Sequence, residues 1–297
     1  MTRAISTIII LFGLATLDLR AQDRAVLDFY SRYGPFTDPG EYGLLYKNLP
    51  ESLTDLCRLI KAQMIHPVAD LPLYRDLIPP ERSYEDLEYP TVPTILAGLM
   101  KYNPAGLTQD RKPEQRLVVS CRYHAILLAS ILKSRGIPVR VRYGFARYLY
   151  PGRYIYHVVC EVRNDRDQRW MLVDPDRQMV DYPRGQFETS DDAWRRYRQG
   201  ALDPSLYGVQ GWWGAHPILD VMCHDLAAVL GNERIYFDRP PVSFDIGMDM
   251  DKISPDQEAV LDRIAELLKN PDANFQELQL LYNTHAFLQF KQGKSGR

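Results

Sequence analysis

The sequence predicts an α+β fold in which one helix packs against an antiparallel sheet, with further helices before and after this unit. Three observations predict it. A helical apolar pattern starts at Cys121, three strand-like segments follow it, and amphipathic helical patterns occupy the N-terminal and C-terminal parts of the chain. We therefore expect a single α+β core with flanking N- and C-terminal helices.

The composition is that of a globular protein and gives no sign of a nucleic-acid partner. Of the 297 residues, 45% are hydrophobic and 25% charged, and the formal net charge is -2. Such a chain can bury one sizeable core, so one or two domains are expected. Nucleic-acid binding needs clustered Lys and Arg to match the phosphates, so we expect no nucleic-acid partner. The oligomeric state is not indicated by the sequence.

The N-terminus leaves two interpretations open. Arg3 is followed by an apolar run over 4–17 and then by Ala21, which is the arrangement of a secretory signal with a cleavage site. The non-small Leu19 and the charged residues beside it argue against cleavage. Residues 1–22 are therefore either a signal peptide of an exported protein or an N-terminal extension of a cytoplasmic one. No later segment is long and apolar enough to predict a membrane span.

The N-terminal helical part is predicted over 23–110. A first helix is expected within 23–34, and a second begins after Ser52, a suitable N-cap, and closes at His66 and Pro67. The stretch 68–95 is rich in Pro, Tyr and acidic residues, which predicts a loop with short helical turns. It leads to a short helix near 94–102.

The catalytic core is predicted over 111–250, and its clearest part is 120–176. Ser120 is a suitable N-cap, which places Cys121 in the first helical turn, and Gly136 ends the helix. Strands are expected at 139–146, 154–163 and 169–174. The first alternates apolar residues with Arg140 and Arg142, which predicts a half-buried strand.

The chain is harder to interpret beyond residue 180. A loop and a short helix are expected over 182–200, and a loop rich in glycine and aromatic residues over 207–217. A helical hairpin is predicted over 251–297, because Ser254 and Pro255 begin one amphipathic helix that runs through Leu268 and a second pattern follows it.

Three residues in chain order supply what thiol catalysis needs: a thiolate, a base and a group that orients the base. Cys121 at a helix start would have its pKa lowered by the unpaired N–H groups and the helix dipole. His157 lies within a strand, and Asp174 ends the next one. If residues 165–166 form a two-residue turn, His157 and Asp174 are direct cross-strand partners.

These segments resemble the core of the transglutaminase-like superfamily. The resemblance rests on "CRYHAILLASILKSRGIPVRVRYGFA", "YHVVCEV" and "RWMLVDPD", which cover about 117–176. It implies a papain-like core with Cys121 as nucleophile, His157 as base and Asp174 as orienting acid. Arg122 stands where eukaryotic transglutaminases carry a Trp, and their β-domains and calcium sites have no room here. A bacterial-type hydrolase or peptidase therefore looks nearer than a cross-linking enzyme.

The implied reaction is acyl transfer from a peptide or amide substrate through a thioester, without a cofactor or metal. The oxyanion would be held by the backbone N–H of Cys121 and one upstream donor, for which Gln115, Tyr84 and Tyr89 are candidates. Two alternatives stay open. One is a non-catalytic interaction module that keeps the fold. The other is a zinc-dependent hydrolase with ligands drawn from Cys121, His124, His157 and Asp174.

The remaining motifs have simpler expectations. His124 shares a helix face with Cys121 and is expected to support the site or only to pack. The other histidines are expected to be structural: His66, His216, His224 and His285. A basic set around the first strand forms either a carboxylate site or a solvated face: Arg135, Arg140, Arg142, Arg147 and Arg153. The "GWWG" at 211–214 is either an aromatic rim or a core pair. The four cysteines do not form a disulfide scaffold, although one bridge is possible.

Overall fold

A computed structural model describes residues 24–290. The expected signal peptide or extension at 1–22 lies outside the described residues. The α-helices are α1 (24–31), α2 (Leu53–Lys61), α3 (Leu71–Tyr74), α4 (Val92–Tyr102), α5 (Cys121–Lys133), α6 (Ser190–Arg198), α7 (Ala215–Val229), α8 (Pro241–Asp245), α9 (Pro255–Leu268) and α10 (Phe275–Thr284). The strands are β1 (Met64–Ile65), β2 (Leu117–Val118), β3 (Val139–Ala146), β4 (Tyr154–Asn164), β5 (Arg169–Asp174), β6 (Met179–Val180), β7 (Phe187–Thr189), β8 (Tyr207–Val209) and β9 (Trp212–Trp213).

The α+β class is confirmed, with a central sheet of seven strands. Its order is β6-β5-β4-β3-β7, all antiparallel, while β8 pairs with β4 in parallel and β9 pairs with β8. The one parallel pair departs from the purely antiparallel sheet that we expected. Helices α5 and α7 pack against this sheet, and both lie in the largest hydrophobic core. Among residues 24–290 there is no helix whose length and hydropathy would suit a membrane span.

Helix boundaries with a clear cap are confirmed. The Ser52 hydroxyl accepts a hydrogen bond from the Asp55 N–H at 3.1 Å, and α2 follows it. Ser254 and Gln257 form a reciprocal capping box at the start of α9. These caps satisfy backbone N–H groups that a helix cannot satisfy itself, which is why they are readable from sequence.

Strand β3 is wholly buried, so our prediction of a half-buried strand is wrong. Arg140 and Arg142 are buried, and both pair with carboxylates of the chain itself. Arg142 donates to both carboxylate oxygens of Asp225 at 2.9 and 2.8 Å, and Glu161 accepts from Arg140 and Arg142 at 2.7 and 2.8 Å. These ion pairs offset the cost of burying the charges, so a polar residue in β3 no longer indicates an exposed face.

The register of the β4–β5 hairpin differs by two residues from the expected one. Glu161 faces Leu172 and Asn164 faces Arg169, because the turn is four residues long rather than two. Gln168, the last turn residue, has a positive φ of 51°. A shift of two residues keeps every side chain on its original face, since side chains alternate with period two. His157 and Asp174 therefore still share a face of the sheet, although they are not the direct cross-strand partners that we expected.

The segment expected to be a glycine-aromatic loop is instead the β8–β9 hairpin followed by the long helix α7. Gln210 and Gly211 form the hairpin turn, with positive φ values of 43° and 85°, as two-residue hairpin turns favour. Gly208 tolerates no side chain, because a Cβ atom would lie 2.0 Å from the Trp212 carbonyl oxygen. This hairpin carries two tryptophans to the candidate site.

Candidate functional site

Cys121 is the first residue of α5, as expected, and the start of that helix is left open to a ligand. Ser120 occupies the N-cap position, yet its hydroxyl does not cap the helix. It donates instead to Asp86 Oδ2 at 2.5 Å, and the Ser120 N–H donates to Asp86 Oδ1 at 2.9 Å. The first N–H groups of α5 therefore remain available to a negative charge on the thiol or on a substrate oxygen.

His157 and Asp174 are joined by a hydrogen bond of 2.8 Å between Nε2 and Oδ2. Both side chains are buried. Asp174 also accepts from the Tyr148 hydroxyl at 2.6 Å and from the Arg177 N–H at 3.0 Å. The carboxylate is thus held on three sides. Because Nε2 is taken by Asp174, Nδ1 is the nitrogen of His157 left for the thiol.

The pKa values of Cys121 and His157 shift in opposite directions. Burial would raise the pKa of the Cys121 thiol, but the charge and hydrogen bond of His157, with a hydrogen bond from His66, lower it to about 6. Burial would lower the pKa of His157, whereas Cys121 and Asp174 raise it well above its usual range. A thiolate–imidazolium pair is the form that these shifts favour. The pKa values of Cys57, Cys160 and Cys223 are instead raised, with burial as the first cause, and all four cysteines are free thiols.

A gap in the sheet exposes His157 to a cleft. On one edge of β4, β5 pairs as far as Cys160 and β8 pairs as far as Ile155. Within residues 24–290, no strand pairs on that edge with the residues between them, His157 included. Strand β4 is thus unpaired on one edge at the position of His157.

The cleft has two adjoining halves, one at Cys121 and one at His157. The Cys121 half has a volume of about 440 Å³ and largely aromatic walls, built from Tyr84, Tyr156, Trp212, Tyr236 and Phe237. The His157 half has a volume of about 380 Å³ and includes Asp176, Arg177 and Trp213. His66, Val68, Tyr156, Val209 and Gln210 border both halves. The "GWWG" motif is therefore a cleft wall, which favours the rim interpretation over a core pair.

His66 was expected to be structural, and that expectation is wrong. His66 borders both halves of the cleft and shares one of them with Cys121. Burial lowers the pKa of His66, whereas the hydrogen bond to Cys121 and the charge of Asp176 raise it, and the net shift is upward. Its sequence context, a histidine at the end of a helical pattern, gave no signal because the contact spans over fifty residues of chain.

Tyr236 is a second contact that the sequence did not indicate. Its hydroxyl lies 2.8 Å from the Cys121 sulfur, and burial followed by the Cys121 charge raises its pKa well above the usual range. Tyr236 therefore stays a neutral phenol that can donate to a thiolate. It belongs to the segment between α7 and α8, which carries no recognisable motif.

A buried ion-pair network lies next to the site. Lys61 donates to Asp70 Oδ2 and Asp176 Oδ1, both at 2.5 Å. His124 donates through Nδ1 to the Ser120 carbonyl at 3.2 Å, and its Nε2 lies 3.7 Å from Asp176 Oδ1. Burial lowers the pKa of His124 to about 4, so its ring is neutral.

Across residues 24–290, no three His, Cys, Asp or Glu side chains form a group that could hold a metal ion.

The three expected candidates for the second oxyanion donor fare differently. Gln115 binds Asn103 and the Lys112 N–H, at 3.2 and 3.3 Å, and Tyr89 packs under Gly98; neither borders the cleft. Tyr84 does border it, but its hydroxyl donates to Asp86 Oδ2 at 3.0 Å. None of the three is therefore a free donor beside Cys121.

A further cavity of about 570 Å³ lies away from these residues, beside Arg140, Arg142 and Glu161. The charged groups of β3 and β4 that line it are paired with one another or with Asp225 and Asp272. We therefore place the candidate site in the two-part cleft, where a thiol, two imidazoles and an open helix start lie close together.

Comparison with known proteins finds a match to a family model. Residues 98–175 match the family model of the transglutaminase-like superfamily, and the match spans Cys121, His157 and Asp174. The superfamily generally performs cysteine-based acyl transfer or hydrolysis. No curated protein and no solved structure matches the chain.

Proposed function

We propose, from the transglutaminase-like superfamily domain that this chain contains at residues 98–175, that the protein is a cysteine-dependent enzyme acting on an amide. The observation that carries the proposal is the arrangement around one sulfur. Cys121 has a lowered pKa at an open helix start, and His157 beside it is held by Asp174 at 2.8 Å. This is the arrangement of an activated thiol nucleophile.

The proposed reaction has two halves. The Cys121 thiolate attacks the amide carbonyl carbon, and the π electrons of the C=O bond move to oxygen. When that intermediate collapses, the C–N bond breaks, His157 gives its proton to the leaving nitrogen, and a thioester remains. A water molecule then attacks the thioester carbon while His157 takes one of its protons. The C–S bond breaks, so Cys121 returns to the thiolate and the carboxylic acid is released.

Water is the proposed acceptor in preference to an amine. The leaving nitrogen and the incoming water would share the His157 half of the cleft, since His157 handles the proton in both steps. That half includes the partly exposed Arg177, a polar side chain that suits an entrance for water. The aromatic Cys121 half would take the acyl portion of the substrate.

Exposure of the protein to p-nitrophenyl acetate tests the proposal. We expect an acetyl group on Cys121, detected by mass spectrometry of an acid-quenched sample, which disappears with time as water hydrolyses the thioester. Cys57, Cys160 and Cys223 should stay unmodified, since their pKa values are raised. Cys121→Ala is the control. Labelling that persists in this variant, or none in the wild type, would refute the proposal.

A second arm identifies the acceptor. Casein and a fluorescent primary amine are supplied together, and incorporation of the dye into casein is measured. We expect none above the Cys121→Ala control. Incorporation that depends on Cys121 would keep the thioester and replace water by an amine as the acceptor.

A further inference from the structure

We infer that the Nε2–H group of His66 is the second donor to the oxyanion, beside the backbone N–H of Cys121. The inference rests on the proposed function, because an oxyanion forms only if Cys121 attacks a carbonyl. It concerns a residue outside the match at 98–175.

The backbone brings His66 to the sulfur. Strands β1 and β2 run in parallel with Ile65 opposite Val118, and the Val119 N–H donates to the Ile65 carbonyl at 3.0 Å. Each strand ends at the site: β1 is followed at once by His66, and β2 by the residues that lead into Cys121. Two residues far apart in the chain are thus delivered side by side by one short ladder.

The loop after His66 decides which nitrogen carries the proton. The backbone N–H groups of Val68 and Ala69 donate to Nδ1 at 3.2 and 3.3 Å. An imidazole nitrogen that accepts hydrogen bonds carries no proton, so the proton of the neutral ring lies on Nε2. Asp70 holds the loop, since its Oδ2 accepts from the His66 N–H at 2.8 Å. Lys61 in turn fixes Asp70.

The protonated nitrogen is the one that faces the sulfur. The His66 ring lines the Cys121 half of the cleft beside the thiol. Its Nδ1 is occupied by the backbone, which leaves Nε2–H to face the sulfur. The carbonyl carbon under attack forms a bond to the same sulfur. The carbonyl oxygen is therefore only two bonds away from the sulfur. A donor aimed at the sulfur can therefore reach that oxygen.

The two histidines around Cys121 are suited to different tasks. His157 has a carboxylate on one nitrogen, which favours its charged form and proton transfer. His66 has two backbone N–H donors on Nδ1, which fix its tautomer and leave Nε2–H as a fixed hydrogen-bond donor. Negative charge moves from the sulfur to the oxygen during the attack. A donor placed beside both atoms can stabilise the charge on each of them without reorganisation.

Two variants of His66 test the inference. His66→Phe keeps a planar ring but has no donor, and His66→Gln restores a side-chain N–H near the position of Nε2. Two rates are measured in the pH range where each has levelled off: acylation of Cys121 by p-nitrophenyl acetate, and alkylation of Cys121 by iodoacetamide. Alkylation displaces iodide from a saturated carbon and forms no oxyanion. A lost thiolate would slow both reactions, whereas a lost oxyanion donor slows only acylation.

We expect His66→Phe to slow acylation by about 10²- to 10³-fold, the usual loss for one oxyanion donor, while alkylation stays near the wild-type rate. His66→Gln should recover part of the acylation rate. Tyr236→Phe is the matched control, since it also removes a hydrogen bond to the Cys121 sulfur, and it should retain more acylation than His66→Phe.

Three results would overturn the inference alone: wild-type acylation in His66→Phe, equal losses of both rates in that variant, or a larger acylation loss in Tyr236→Phe. A wild-type protein that is alkylated at Cys121 but never acylated there would remove the proposed function and this inference together.

Discussion

Replacing His157 with glutamine is expected to lower turnover by about 10⁴-fold or more, the upper range for loss of a general acid–base group. Two effects combine. The leaving nitrogen loses its proton donor, and the Cys121 thiol loses the imidazolium whose charge and hydrogen bond lower its pKa. The pKa of Cys121 should therefore rise towards that of an ordinary cysteine, about 8.5.

The measurement is the pH dependence of Cys121 acylation in the variant and in the wild type. Raising the pH should restore the thiolate in His157→Gln but not the proton transfer, so only part of the loss is recovered. His285→Gln, which alters a histidine at the end of α10, should behave as wild type. A His157→Gln protein with full turnover at neutral pH would show that this ring has no part in the reaction.

Replacing Asp174 with asparagine is expected to lower turnover by up to about 10⁴-fold, the loss found when the orienting acid of a serine protease is changed in this way. The loss here should be smaller than that limit, since a thiolate needs less help from its base than a hydroxyl does. Asparagine has the shape of aspartate, so the contact with the Tyr148 hydroxyl at 2.6 Å need not collapse.

The pH profile should narrow in Asp174→Asn. The Asp174 charge helps to raise the pKa of His157, so its removal lowers that pKa, and the alkaline limb moves to lower pH. A weaker imidazolium lowers the Cys121 pKa less, so the acid limb moves to higher pH. Turnover and the thermal unfolding midpoint are measured together. A variant that is thermally weakened yet fully active would mean that Asp174 only caps the turn into Pro175.

The positions of Cys121, His157 and Asp174 were predictable because the signals for them are local. A capping residue before an apolar helical pattern placed Cys121 at a helix start, and alternation placed His157 and Asp174 on one face of a hairpin. The exact register was not predictable, since it depends on turn length, and a four-residue turn replaced the expected two-residue one. The assignment of these side chains to one face of the sheet was still correct, because it depends only on whether the register shifts by an even number of residues.

Helix α7 was not predicted because its polar residues are buried. His216, Asp220, His224 and Asp225 are all within the protein interior, where they bind one another or other groups. The His224 ring, for example, lies 2.9 Å from the Asp220 carbonyl, and Asp225 pairs with Arg142. A helix surrounded by protein has no polar face to define a helical period. Sequence periodicity therefore fails where polar groups are satisfied by tertiary partners.

His66 and Tyr236 could not be found for a different reason. Each reaches Cys121 through tertiary structure, His66 by the β1–β2 ladder and Tyr236 from the segment after α7. No spacing rule links such residues to a nucleophile in one sequence. The division of the chain at residues 22, 110 and 250 likewise stays a prediction.

The most direct test of the central claim is the rate of Cys121 alkylation by iodoacetamide as a function of pH, followed by mass spectrometry of the labelled peptide. Cys121 as an activated nucleophile should react with a midpoint near its lowered pKa of about 6, well before Cys57, Cys160 and Cys223. A midpoint near 8.5, as for an ordinary thiol, or no labelling of Cys121 in the folded protein, would contradict the account.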